Sequence, residues 1–235
     1  MKIFDILLDL FFPKRCPVCD DVLPMGSQYV CPECKEKIVY IKEPFCMKCG
    51  KAISEGKEYC RDCIQRPHAF KQGGAVMDYG SVAGSLFRFK NKGRKEYAEF
   101  FAREMNMARG DWLRAIGADA LVPVPVHESK LISRGYNQAE VLSRELSKLT
   151  GIPTNSTLVK RVKKTIPLKD LSLRDRLKNL KGAFIIGQND VKLRSIVVID
   201  DIYTTGSTMD EIAKVILSSM DCEVYFLTIA IGRGV

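Results

Sequence analysis

Apolar positions divide the chain into two unlike parts. From about residue 70, short β-branched runs alternate with stretches of helical spacing. Residues 75–79 (AVMDY) predict a strand after Gly73 and Gly74, and residues 81–90 and 95–109 predict helices. Residues 120–126 (ALVPVPV) predict a strand running into a stiff loop. A helix is expected from Asn137 to about Leu149, with Gly151 as its stop signal. Residues 157–162 read as a strand, and 163–181 as irregular and polar with one helical stretch after Ser172. The run 195–199 (SIVVI) suits a strand buried on both faces. A helix over 207–220 and a final strand over 223–231 complete the pattern. The alternation predicts an α/β fold with a mainly parallel sheet and helices on both faces. Ahead of it, residues 3–12 predict one short apolar helix, packed on a neighbouring domain or touching a partner or membrane surface. Residues 14–66 lack long apolar runs. The expected division is an N-terminal helix over 1–13, a small module over 14–66 and the α/β domain over 67–235.

The small module is defined by its cysteines. Eight of the nine form four Cys-x-x-Cys pairs: Cys16/Cys19, Cys31/Cys34, Cys46/Cys49 and Cys60/Cys63, separated by gaps of 11, 11 and 10 residues. So short a stretch buries little apolar area and needs a staple. Two pairs complete a tetrahedral shell of thiolates, so eight fit about two zinc ions. Sequential pairing is the expectation and an interleaved cross-brace the alternative, with β-hairpin knuckles in either case. A closed four-thiolate shell leaves no open position, which makes the sites structural. Iron–sulfur ligation and disulfides are competing accounts. Disulfides would need export, yet Asp5 and Asp9 interrupt the apolar start and no small-residue cleavage site follows. No stretch approaches the ~20 apolar residues of a membrane span. A reducing cytoplasm is therefore expected. Cys222 stands alone and reads as a core thiol.

Net charge is +9 and pI about 9.1, which favours anionic partners. Residues 160–181 hold nine Lys/Arg against two Asp/Glu, and residues 88–95 add five more cations. The cysteine module is not a basic patch, with ten Lys/Arg against eight Asp/Glu over 14–66. The 160–181 stretch can be a solvated flap, a pyrophosphate contact or a nucleic-acid contact. For the last, Lys163, Lys164, Lys178 and Lys181 are the candidates.

The sharpest motif is 196–208 (IVVIDDIYTTGST). A buried strand ends at Asp200 and Asp201, a hydroxyl-rich loop follows, and a helix begins. Thr204, Thr205, Gly206, Ser207 and Thr208 offer backbone N–H groups and hydroxyls at a helix N-terminus, a site for a phosphate dianion. Two carboxylates beside a phosphate need something between them, either donating hydroxyls of a diol or Mg²⁺. No lysine follows the glycine, so this is not the nucleoside-triphosphate loop.

This segment resembles the signature of type I phosphoribosyltransferases, which bind phosphoribosyl pyrophosphate (PRPP). The whole chain resembles the ComF (ComFC) family of competence-associated proteins. The likeness is carried by FPKRCPVC, CMKCG, LVPVPVH at 121–127, SRGYNQAEVLSREL at 133–146, LKNLKGAF at 177–184 and VVIDDIYTTGST. It implies a double zinc ribbon joined to a phosphoribosyltransferase-like domain. It also implies that Asp200 and Asp201 hold the ribose hydroxyls, directly or through Mg²⁺, and that residues 204–208 wrap the 5′-phosphate. Pro123, Val124 and Pro125 would belong to the pyrophosphate loop, and 163–176 to a mobile flap. His127 is the nearest candidate for proton transfer, and His68 reads as structural. The expected role is DNA uptake in transformation, with PRPP, single-stranded DNA and other uptake proteins as partners, in the cytoplasm or at the inner face of the membrane. The alternative is an active transferase passing ribose 5-phosphate to an amine or nucleobase.

Overall fold

The computed structural model describes residues 13–24, 29–164, 173–188 and 191–232. The helix expected over 3–12 and the flap centre at 165–172 lie outside the described residues. Strands are β1 (Gln72–Asp78), β2 (Ala120–Pro123), β3 (Val159–Arg161), β4 (Phe184–Ile186), β5 (Ser195–Tyr203) and β6 (Glu223–Ile231). Helices are α1 (Pro32–Lys35), α2 (Arg61–Gln65), α3 (Tyr79–Asn91), α4 (Tyr97–Ala115), α5 (Glu128–Arg134), α6 (Gln138–Thr150), α7 (Leu173–Leu180) and α8 (Ser207–Leu217).

The β-branched run of β5 is buried from residue 195 to 199, and β6 is buried throughout after Glu223. These two strands form the centre of a four-stranded sheet in the order β1-β6-β5-β2, with every pairing parallel. Because successive side chains point to opposite faces, β5 feeds two apolar cores. Val197 and Ile199 pack with Phe89, Phe101, Met105, Leu142 and Leu146 of α3, α4 and α6. Ile196 and Val198 pack with Ile212 and Ile216 of α8, Phe184 of β4, and Cys46, Cys49 and Cys60. The second cysteine group thus shares one sheet face with α8, while Ile38, Val18 and Tyr40 join the core on the other face.

That intimacy explains the start of β1. The strand begins at Gln72, so Gly73 and Gly74 lie within it rather than before it. A Cβ on Gly73 would fall 2.0 Å from the Phe226 ring, and the ideal Cβ of Gly50 stands 2.8 Å from Gly74 Cα. Only glycine lets the third cysteine knuckle approach the sheet so closely. Residues 39–41 then pair antiparallel along β1, through Ile41 N to Val76 O and Asp78 N to Val39 O, both 2.8 Å. The opposite edge carries a short parallel contact between Leu121 and Thr154.

Four other details differ from the pattern-based expectation. The first and third knuckles are hairpin-like, with bridges Arg15–Val22 and Phe45–Ala52, but the second and fourth open helices. Cys31 and Cys60 are the extended N-cap residues there, and Pro32 suits the first helical position, where its missing N–H costs nothing. Helix α5 was not foreseen, because it buries no residue and so carries no apolar period. Helix α4 runs on to Ala115. Strands β3 and β4 form a separate antiparallel pair outside the main sheet. Among the described residues, no helix is long and apolar enough to cross a membrane.

Candidate functional site

All four main strands end on one side of the sheet, where open α/β folds carry their ligand loops. At the end of β5 the chain turns through Thr204, Thr205 and Gly206 into α8. Gly206 is the N-cap, with φ +77°, and no side chain caps the helix. Asp210 N donates to Gly206 O at 2.8 Å, so the N–H groups of Ser207, Thr208 and Met209 precede the first intrahelical bond. They line a recess with residues 202–206. A Cβ on Gly206 would meet Tyr203 Oη at 2.6 Å and His68 Cε1 at 3.0 Å, so only glycine closes this turn. Donors without a partner among the described residues and the positive helix end make the recess suited to an anion.

The two acids are unequal. Asp201 is 2% exposed and pairs with Lys90 Nζ of α3 at 2.5 Å. Burial is the largest influence and would raise its carboxyl, but the Lys90 charge together with hydrogen bonds from Asp200 and Lys90 holds it below the usual range. Asp200 is pushed well above that range, by burial first and then by the Asp201 charge. Lys90 thus matches the charge of Asp201, while burial and that same charge push Asp200 toward its neutral form. Lys130, Arg134 and Arg161 complete a cationic rim. Burial lowers Lys130, and Arg161, Arg134 and Lys90 add to the effect. Burial lowers Arg161, against the pull of Asp200. Arg161 lies on β3 with its guanidinium 5.4 Å from the Phe184 ring centroid.

The pyrophosphate-loop candidates run beside this centre. Pro123 ends β2, Val124 N donates to Ile199 O at 2.9 Å, and Val124 O accepts from Asn137 Nδ2 at 3.0 Å. Asn137 also caps α6 through Ala139 N. The loop is thereby tied to the residue preceding Asp200 and to a helix start.

The cysteine sulfurs form two groups, each within 4.8 Å: Cys16, Cys19, Cys31 and Cys34, then Cys46, Cys49, Cys60 and Cys63. Pairing is sequential. Four converging thiols fit a tetrahedral zinc shell, and the two groups support about two zinc ions.

Known proteins resemble this chain over most of its length. The model of the double zinc ribbon domain matches residues 7–64. Competence protein F of Haemophilus influenzae is 32% identical over 212 residues, spanning 88% of this chain and 92% of that protein. This chain belongs to the competence protein F family. DNA utilization protein YhgH of Escherichia coli is 30% identical to this family member over the same shares of both chains. Competence protein ComFC of Bacillus subtilis is 28% identical, spanning 81% of this chain and 79% of the relative. Adenine phosphoribosyltransferase of Saccharomyces cerevisiae superimposes with TM-score 0.37 and 13% identity, over 71% of this chain and 81% of that one. That superposition is loose; the strand order β1-β6-β5-β2 and its parallel register define the fold.

In this competence protein F family member, the loop 200–208 and residues 123–125 come together at one sheet edge. Lys163 and Lys164 are exposed just beyond β3, while Lys178 and Lys181 are exposed at the end of α7. His127 is the N-cap of α5, its Nδ1 accepting from Ser129 N at 3.2 Å. His68, which has no evident partner in the sequence, binds Asp210 through Nδ1 at 2.9 Å. Sequence reasoning also passed over Lys90, Lys130, Arg134, Arg161 and Arg66. Lys90 and Arg134 sat inside segments already marked as basic or motif-bearing, but their direction was not legible.

Proposed function

We propose that the chain is a competence-associated factor that binds PRPP, with Mg²⁺, at the end of β5, and single-stranded DNA along its basic surface. The observation that carries the reading is the uncapped α8 N-terminus behind Gly206, set beside an acid pair and a rim of four cations. A 5′-phosphate would take the free N–H groups, the diol would meet Asp200, and the pyrophosphate would meet the rim with the loop at 123–125. Mg²⁺ takes oxygen ligands, and Asp200 is the carboxyl that Lys90 leaves available. The metal would neutralise the pyrophosphate charge. DNA would meet Lys163, Lys164, Lys178 and Lys181, in line with the names of the relatives. The reading implies a reducing compartment, where the eight thiols remain available to zinc.

Titration calorimetry with PRPP, with and without Mg²⁺, tests the first half. Saturable heat that disappears in Asp200→Asn is expected, and no heat at any ligand concentration refutes it. Pyrophosphate release across a panel of bases and amines separates binding from transfer. Steady turnover would make the chain a working phosphoribosyltransferase.

A further inference from the structure

The back of the phosphate loop is occupied by the chain's own exit from the second cysteine group. Arg66 follows α2, whose preceding residue and third residue are Cys60 and Cys63. Its Nη2 donates to Asp210 Oδ2 at 2.9 Å, and its Nη1 lies 3.5 Å from both Thr205 O and Ser207 Oγ. His68 Nδ1 meets the same Asp210 oxygen at 2.9 Å, and Ala69 N donates to Asp210 Oδ1 at 3.0 Å. Asp210 is 2% exposed and sits in the first turn of α8. Its two oxygens are therefore engaged by residues 66–69. A carboxylate so near an anion site would otherwise oppose the ligand. The His68 ring stacks on Phe70 at 4.7 Å and presses its Cε1 toward Gly206.

We propose that Arg66 is a positioning residue for the 5′-phosphate subsite, and that zinc at the Cys46, Cys49, Cys60 and Cys63 group holds it in place. Sugar-phosphate affinity then depends on occupancy of that group. The inference rests on the sugar-phosphate reading given above. Residues 66–69 stay in register with α8 only while α2 is fixed, and α2 is anchored by two of the four thiols. The other cysteine group has a different route into the domain. Arg88 of α3 donates to Val18 O, and Asp20 binds Arg94 at 3.0 Å and the Tyr97 hydroxyl. None of those contacts reaches α8.

The test uses the full chain, calorimetry with two probes, and zinc per chain by metal analysis. The probes are ribose 5-phosphate, which needs the loop, and Mg²⁺–pyrophosphate, which does not. Arg66→Ala should weaken ribose 5-phosphate roughly tenfold, the scale of one charge-assisted hydrogen bond, and leave Mg²⁺–pyrophosphate unchanged. Arg66→Lys should restore part of the loss. Cys63→Ser should lose one zinc and weaken ribose 5-phosphate to a similar degree, whereas Cys31→Ser should lose one zinc without that effect. Equal ribose 5-phosphate affinity in wild type and Arg66→Ala overturns the inference. So does equal weakening by both cysteine variants or toward both probes, which would signal general loosening. If the wild type binds neither probe, the sugar-phosphate reading itself fails and takes this inference with it.

Discussion

Replacing Lys90 by methionine removes the only cation paired with the buried Asp201 among the described residues, and the cost can be bounded. The methionine keeps most of the apolar stem, so the loss is chiefly electrostatic. Breaking a buried pair from one side typically costs ~3–5 kcal/mol. Asp201 has an escape, since it can take up a proton. At pH 7 that costs about 4 kcal/mol, the span from an ordinary carboxyl near 3.9 at 1.36 kcal/mol per unit. The lysine side chain keeps 27% exposure, so some water already reaches the pair. A destabilisation of about 3 kcal/mol follows, on the order of 6–12 °C in Tm for a chain this long. The escape route becomes easier in acid, where at pH 5 protonation costs only about 1.5 kcal/mol. The sign is fixed by Asp201, whose folded value lies below its unfolded one. In the wild type it adds stability above the unfolded value that is lost as pH falls through the folded one. In the variant the buried carboxyl is raised instead, so its penalty shrinks as pH falls. Urea unfolding at pH 7 and pH 5 measures both, and Asp201→Asn in the Lys90→Met background should recover most of the pH 7 loss. A deficit below about 0.5 kcal/mol, a deficit that does not shrink at pH 5, or no recovery in the double variant would refute the reasoning.

Other consequences can be checked separately. Asp200 carries a raised carboxyl, so Mg²⁺ binding should release a proton and weaken as pH falls; calorimetry in buffers of different ionisation heat reads this, and identical heats argue against it. Metal analysis should return about two zinc per chain, and removal by a chelator should unfold residues 14–66 first by hydrogen exchange. Gly206→Ala forces an alanine to φ +77° against the Tyr203 hydroxyl, costing roughly 1–2 kcal/mol of stability and abolishing ribose 5-phosphate binding. Charge reversal at Lys163, Lys164, Lys178 and Lys181 should flatten the salt dependence of single-strand binding by about 0.7 per lost phosphate contact. An unchanged slope would remove this surface from DNA binding.

Local chemistry was readable from the chain, and long-range partnership was not. The 196–208 segment declares itself because strand, turn and helix start are contiguous, each with its own residue signature. The paired cysteines do the same. Lys90 and Asp201 are separated by over a hundred positions, as are His68 and Asp210, and no periodicity links them. Asp210 lies in the first helical turn, where an acid is ordinary, so nothing in the sequence marks its role. The sequence pattern places the glycines at 73 and 74 ahead of the strand and the structure places them within it, because their reason is the Phe226 ring and Gly50, which only the folded sheet brings near. Helix α5 buries nothing, so its surface chemistry left no pattern.

The antiparallel contact of residues 39–41 with β1 bears on how deletion experiments can be interpreted. A fragment starting near residue 67 would leave the outer strand of the sheet with unpaired N–H and C=O groups and an uncovered apolar seam around Phe70 and Phe226. Such an edge invites other chains to add to it. Loss of function in a truncated protein would then report self-association of the remaining sheet. Point changes at single thiols, which leave the backbone in place, are the cleaner way to ask what the metal-binding half contributes.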